Sequence, residues 1–181
     1  MLKSIENIDN MILSHISSFK IRKVDKLMIY ITSVGNNGGI WLVFGFIFLF
    51  IQGYRKIGLQ IFVSVGLSAL MSEAVLKNLV KRSRPCDDIH QKFILIRKPS
   101  SYSFPSGHST SSFAATTTVL LNHGFWSTLS GTLFATTTLL LAITIAFSRL
   151  YIRVHYPSDV VAGMFLGISC SLCVLKILTK F

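Results

Sequence analysis

Five apolar stretches, near residues 38–52, 57–79, 105–122, 126–148 and 158–178, leave this chain little choice of fold. Most are long enough to cross ~30 Å of hydrocarbon at ~1.5 Å of helix per residue. In lipid, every backbone amide must find its partner within the protein, so such runs become helices. Half of the sequence is hydrophobic and only 14% is charged, against about a quarter in a soluble domain. The expected fold is all-α: a polytopic membrane bundle of about six helices, forming a single domain over residues 1–181.

Ahead of these runs, Ile5, Ile8, Ile12, Ile16 and Phe19 recur at helical spacing, with Glu6, Asn10 and Ser14 elsewhere around the turn. Residues 1–23 therefore read as an amphipathic helix lying on the membrane surface or against the bundle. They lack the pattern of a cleaved secretory signal and are expected to remain. A basic cluster follows, Lys20, Arg22, Lys23 and Lys26. Residues 27–35 are apolar but too short to span alone, so whether 24–35 complete a span stays open. Gly53-Tyr54-Arg55-Lys56 and Asn122-His123-Gly124 read as turns. Gly163-x-x-x-Gly167 reads as a close helix contact.

The formal net charge of +11 does not point to nucleic acid, because the basic residues gather at the ends of apolar runs. Anionic headgroups and phosphorylated substrates suit that placement, and no nucleic-acid partner is expected. Three cysteines make no disulfide framework. Cys170 and Cys173 read as helix packing, and Cys86 as a free thiol near the site described next.

If the five runs span, the segments around Lys77–Arg84, Pro105–His108 and Arg149–Asp159 all emerge on one face. Each carries phosphate chemistry. Lys77 and Arg84 lie about two helical turns apart and share a face if the helix runs to Pro85; the arginine fork suits paired phosphate oxygens. Lys81 and Arg82 between them read as membrane-anchoring charges. Pro105 is expected in the first turn of a helix capped by Ser103 or Phe104. Its free N–H groups then make an anion site, Gly107 permits close backbone approach, Ser106 adds a hydroxyl and His108 exchanges protons near neutrality. Ser148-Arg149 adds a further fork, and His155 with Asp159 has the form of an imidazole oriented by a carboxylate. Glu73 lies one turn before Lys77, the favourable order for a helical ion pair, with a proton-relay role as the other reading.

The ordered set Lys-x6-Arg-Pro, Pro-Ser-Gly-His and Ser-Arg-x5-His-x3-Asp resembles the signature of the type-2 phosphatidic acid phosphatase superfamily, which includes lipid phosphate phosphatases and vanadium-dependent haloperoxidases. The match anchors residues 77–159. The resemblance implies that His155 is the nucleophile forming a phosphohistidine, that Asp159 orients it, and that His108 is the general acid and base. It places Lys77, Arg84, Ser106, Gly107 and Arg149 on the phosphoryl oxygens, with Pro85, Pro105, Ser148 and Glu73 in support. No metal or other cofactor is expected.

The implied activity is release of phosphate from a membrane lipid phosphate or diphosphate. An undecaprenyl-type isoprenoid diphosphate comes first, then phosphatidylglycerophosphate or phosphatidic acid. A haloperoxidase and a catalytically degenerate lipid-binding or transport protein are the rival readings. The location expected is a bacterial cytoplasmic membrane, with the site on the external face. A plain count of positive charge would place that face inside, but several of these cations belong to phosphate binding. The oligomeric state is not encoded in any motif.

Overall fold

The computed structural model describes residues 2–18, 21–87, 96, 99–122, 124 and 126–178. Phe19, Lys20 and His123, read above, lie outside them, as do His90, Lys92, Arg97, Lys98 and Lys180. Its elements are helical: α1 (Leu2–Ser18), α2 (Arg22–Val34), α3 (Gly39–Phe50), α4 (Arg55–Ala69), α5 (Lys77–Val80), α6 (Gly107–Leu121), α7 (Leu129–Tyr151) and α8 (Pro157–Leu178). A π-helical stretch, Leu70–Leu76, joins α4 to α5 into one rod of 26 residues. Among the described residues, three helices are long and apolar enough to cross a membrane: Arg55–Val80, Leu129–Tyr151 and Pro157–Leu178.

The residues left open in the sequence reading have a defined place. Helix α2 and the segment from Asn36 to Phe50 together have the length and composition of a span, bent by 45°. The break falls at Asn36–Gly38, where Asn37 (φ 52°) and Gly38 (φ 68°) take left-handed conformations. Non-helical backbone at membrane depth is tolerated where it is buried in protein or lines a polar cavity. Here it lines one, as described below.

Helix α6 differs from its neighbours. At 15 residues it is too short to span by itself, and every residue from Ser109 to Val119 is buried. It packs against α4, α7 and α8, and its hydroxyls bind them directly. Thr118 Oγ1 donates to Ser64 Oγ of α4 (3.2 Å) and shares a 2.9 Å bond with Ser171 of α8. Thr116 Oγ1 donates to the Thr138 carbonyl of α7 (3.2 Å), and Ser112 Oγ accepts from the Trp41 indole of α3 (3.0 Å). Each such bond is worth about 1 kcal/mol net, but an orphaned hydroxyl here would cost more. The close approach of α8 rests on Gly163 and Gly167. A Cβ on Gly163 would sit 2.7 Å from the Ser106 carbonyl oxygen, and one on Gly167 would strike the Thr110 carbonyl. That is the small-residue contact expected of the G-x-x-x-G pair.

Helix α1 is amphipathic, with buried Asp9 and Leu13 and partly buried Ile16 on its inward side, while Ile5, Ile8 and Met11 are exposed. Asp9 finds charged partners beneath the helix.

Candidate active site

The three suspected segments meet. Lys77, Arg84, Gly107, His108, Arg149 and His155 all line one cavity of about 750 Å³. Its remaining walls include Ile29, Val65, Ala69 and the α2–α3 break.

Lys77 lies at the end of the long rod. Its Nζ donates to Glu73 Oε1 (2.6 Å) and Ser101 Oγ (3.1 Å). The helix does not continue to Pro85 as expected. It stops at Val80, and Lys81 turns left-handed at φ 51°. Arg84 therefore reaches the cavity from an irregular turn rather than from the face of Lys77. Its guanidinium donates to the carbonyls of Ser101 (2.8 Å), Tyr102 (3.0 Å) and Val154 (2.9 Å). Nη1 also lies 3.1 Å from His155 Nε2. Arginine has no acceptor, so Nε2 carries the lone pair and the neutral ring's proton sits on Nδ1. Nδ1 faces Asp159 Oδ2 at 3.6 Å, longer than a hydrogen bond but a close electrostatic pairing.

His155 occupies the turn between α7 and α8 and is almost fully buried. Burial, then Arg149 and Arg84, holds its imidazole well below the usual 6.5. The ring is neutral at pH 7, with its Nε2 electron pair directed at the Arg84 guanidinium. Pro157 does not disrupt the His155–Asp159 pairing. It opens α8, and Asp159 Oδ2 reaches back to accept from the Tyr156 backbone N–H (2.9 Å), an N-terminal capping arrangement.

The second segment is also arranged differently from expectation. Helix α6 starts at Gly107, with Ser106 as its cap and Pro105 before the helix. Ser106 Oγ accepts from Ser109 Oγ (3.0 Å) and Ser109 N (3.4 Å), and its backbone N–H donates to the Asp159 carbonyl (3.0 Å). Ser106 is thus fully buried behind the cavity wall, tying α6 to α8, and does not line the cavity. A Cβ on Gly107 would run into the Glu73 carboxylate. The glycine is needed for that approach as well as for any ligand.

Two further residues from α2 and the break hold the site, and sequence reasoning missed both. His108 Nε2 lies 3.2 Å from the Thr32 carbonyl and 3.1 Å from Asn36 Oδ1, both acceptors, so Nε2 bears the proton. Arg149 Nη1 donates to Thr32 Oγ1. Thr32 and Asn36 carried no signal, because isolated polar residues near an apolar run are common. Ser148 Oγ bonds back to the Ile145 carbonyl within α7 (2.6 Å) and is wholly buried. Pro85, next to Arg84, is buried.

Two other expectations are corrected. Arg82 is no membrane anchor: it forms ion pairs with Asp9 and Asp159, both at 2.7 Å. Cys86 lies beside the site but is buried, packed with Tyr151, Ile152 and Val154.

Known proteins resemble the chain in sequence and in fold. A family model described as PAP2 superfamily matches residues 57–181. An undecaprenyl-diphosphatase from Sulfolobus acidocaldarius is 29% identical over 148 residues, 82% of this chain and 68% of that protein. Further curated relatives are matched over 46–60% of their own length. A transmembrane PAP2-type phosphatidylglycerolphosphate phosphatase from Bacillus subtilis superimposes with a TM-score of 0.79 at 23% identity, covering 98% of this chain and 88% of the other. Aquifex aeolicus LpxE does so with 0.75 at 24% identity, covering 92% and 93%.

Proposed function

The chain belongs to the PAP2 superfamily, and on that footing we propose that it removes the terminal phosphate of a membrane lipid phosphate or diphosphate by way of a phosphohistidine on His155. One observation carries the reading. Lys77 and Arg84 from one segment and Arg149 from another, far along the sequence, line one cavity together with an imidazole whose lone pair accepts from Arg84.

His155 Nε2 attacks phosphorus, and the ester oxygen of the lipid departs with a proton from His108. Water then attacks the phosphohistidine and yields its proton back to His108, releasing inorganic phosphate and restoring both rings. The acid form of His108 is the imidazolium, favoured by the negative charge of the bound phosphate; its Nε2–H, which here faces Asn36 Oδ1, would turn to the leaving oxygen and leave the ring neutral. Phosphoryl transfer asks little covalent work of a protein beyond positioning and charge stabilisation. Lys77, Arg149 and the start of α6 stabilise the oxygens, and Arg84 bridges them to His155. Ile29, Val65 and Ala69 provide an apolar wall where the lipid chain begins.

The favoured substrate is an undecaprenyl-type isoprenoid diphosphate, supported by the similarity to the Sulfolobus enzyme. The protein is assigned to a bacterial cytoplasmic membrane, with its site on the external face. The test is phosphate release by detergent-solubilised protein, in excess EDTA, from a panel of isoprenoid and glycerol lipids bearing one or two phosphates. The isoprenoid diphosphate should give the highest kcat/KM. A glycerolipid monophosphate hydrolysed best would replace the substrate, and no release from any lipid would leave a binding or transport protein.

A further inference from the structure

Behind His155, on the side away from the cavity, lies a second charged cluster. Arg82 Nη1 donates to Asp159 Oδ1 and Ser158 Oγ, each at 2.7 Å, and Nη2 donates to Asp9 Oδ2 at 2.7 Å. Its guanidinium lies 4.1 Å from the centre of the Tyr156 ring. Asp9 also accepts from the Ser158 backbone N–H (2.9 Å) and Ser158 Oγ (2.6 Å). Asp9 is 2% exposed and Asp159 not at all.

The cluster fixes the carboxylate that faces Nδ1 of the His155 ring, which the Ser103 backbone also bonds. Asp159 Oδ1 is held by Arg82 and Oδ2 by the Tyr156 N–H, so the carboxylate cannot rotate without breaking charged bonds. Arg82 in turn spans two carboxylates that, without it, would face each other across a buried space at high cost. Asp9 sits on α1, some 150 residues from Asp159 in sequence, yet closes the arrangement.

We infer that Arg82 is a positioning residue for the nucleophile, and that Asp9 anchors it, so that helix α1 completes the site from outside. Arg82 does not line the catalytic cavity. It acts on the reaction by holding Asp159, and through Asp159 the His155 ring, at the angle that aims Nε2 into the pocket. The inference rests on His155 as nucleophile, and its consequence is selective. Simple phosphate binding uses the cavity cations and is indifferent to the ring's aim. Orthovanadate, which mimics the transferring phosphoryl group when bonded to a nucleophile, requires it.

The experiment compares the full-length protein with Arg82→Gln, Arg82→Lys and Asp9→Asn, reading p-nitrophenyl phosphate turnover and the affinities for inorganic phosphate and orthovanadate. Arg82→Gln should lower kcat by about 10–100-fold, the range for partners that orient a reactive ligand, with KM and phosphate affinity within about twofold. Its vanadate affinity should fall by about tenfold or more. Asp9→Asn should move both quantities the same way but less, and Arg82→Lys should recover part of the loss. Equal weakening of phosphate and vanadate would mean a general structural role and overturn the inference. So would an unchanged preference for vanadate in Arg82→Gln. A wild-type protein that releases no phosphate, yet prefers vanadate in an Arg82-dependent way, would instead sink the phosphatase reading and leave the positioning role standing.

Discussion

The two charged clusters on either side of His155 are built on opposite principles. On the cavity side, Lys77, Arg84 and Arg149 gather with one carboxylate, Glu73, and that carboxylate pairs with Lys77 alone. Among the described residues, no carboxylate bonds the guanidinium of Arg84 or Arg149. On the outer side, two carboxylates bracket one guanidinium, with the remaining polar atoms satisfied by Ser158 and Tyr156. Buried charge without a partner is costly, so a surplus of cations around a neutral imidazole is what the proposed phosphate binding calls for. Charge that is matched and bonded holds a geometry. Cavity-side changes should therefore alter what is bound and stabilised in the reaction, and outer-side changes how well the nucleophile is aimed.

The most severe way to break that comparison is at the histidines. His155→Ala should abolish hydrolysis of lipid phosphate and p-nitrophenyl phosphate alike. His108→Ala should lose about 10²–10⁴ in rate on the lipid, the usual share of a general acid, and recover much of it on the nitrophenyl ester, whose leaving group needs little protonation. If the activated ester rescued His155→Ala and not His108→Ala, the two roles would be exchanged.

A smaller effect separates charge from geometry on the cavity side. Arg149→Lys keeps the cation but replaces the planar fork with a point charge. It should remain folded and lose about 10²-fold in kcat, the scale of removing one oriented oxyanion donor. Near-normal turnover, measured beside an unchanged melting temperature, would reduce Arg149 to a packing residue.

The pH dependence sharpens the contrast further. Burial together with Arg149 and Arg84 disfavours the imidazolium of His155. The acid limb of kcat/KM assigned to this group should thus lie well below pH 6.5, and neutralising Arg149 with methionine should move it upward. Stability carries the same sign. The unfolded chain takes a proton at about 6.5 where the folded one does not, so folding weakens as pH falls below that value. A limb already centred near 6.5 in the wild type would contradict the cation-lined burial of the ring.

Topology shifts no rate but orients the whole comparison. Cys86 is buried and makes a poor reporter. Ser83 is exposed at the same end of the bundle. Ser83→Cys should react with a membrane-impermeant thiol reagent in intact cells; labelling only after lysis would put the site on the cytoplasmic side.

Much of the cavity side was legible in the sequence because its residues sit in three short motifs whose spacing and span parity bring them to one face. The outer side was not. Arg82 lies in the run Lys81-Arg82-Ser83-Arg84, where a basic residue at a span end has an ordinary explanation in headgroup contact. Asp9 lies among the isoleucines of α1, and periodicity counts apolar residues and cannot see a buried ion pair. Pro105 and Ser106 were misplaced by a short step: the helix begins two residues later than proline statistics suggest, and that shift takes the Ser106 hydroxyl out of the cavity and into the cap. Glu73 beside Gly107 shows the same limit, since a glycine's reason for being small depends on what stands opposite it. The bent α2–α3 span was left open because neither half has the length of a span by itself.

The central claim is a covalent bond between phosphorus and His155, and rapid-quench trapping tests it most directly. Protein mixed with terminally ³²P-labelled isoprenoid diphosphate and quenched in alkali, where phosphohistidine survives, should carry label that maps to His155 and is absent in His155→Ala. Turnover of the wild type with no alkali-stable label at any quench time, and with inversion of configuration at phosphorus, would show water attacking the lipid directly and contradict the account.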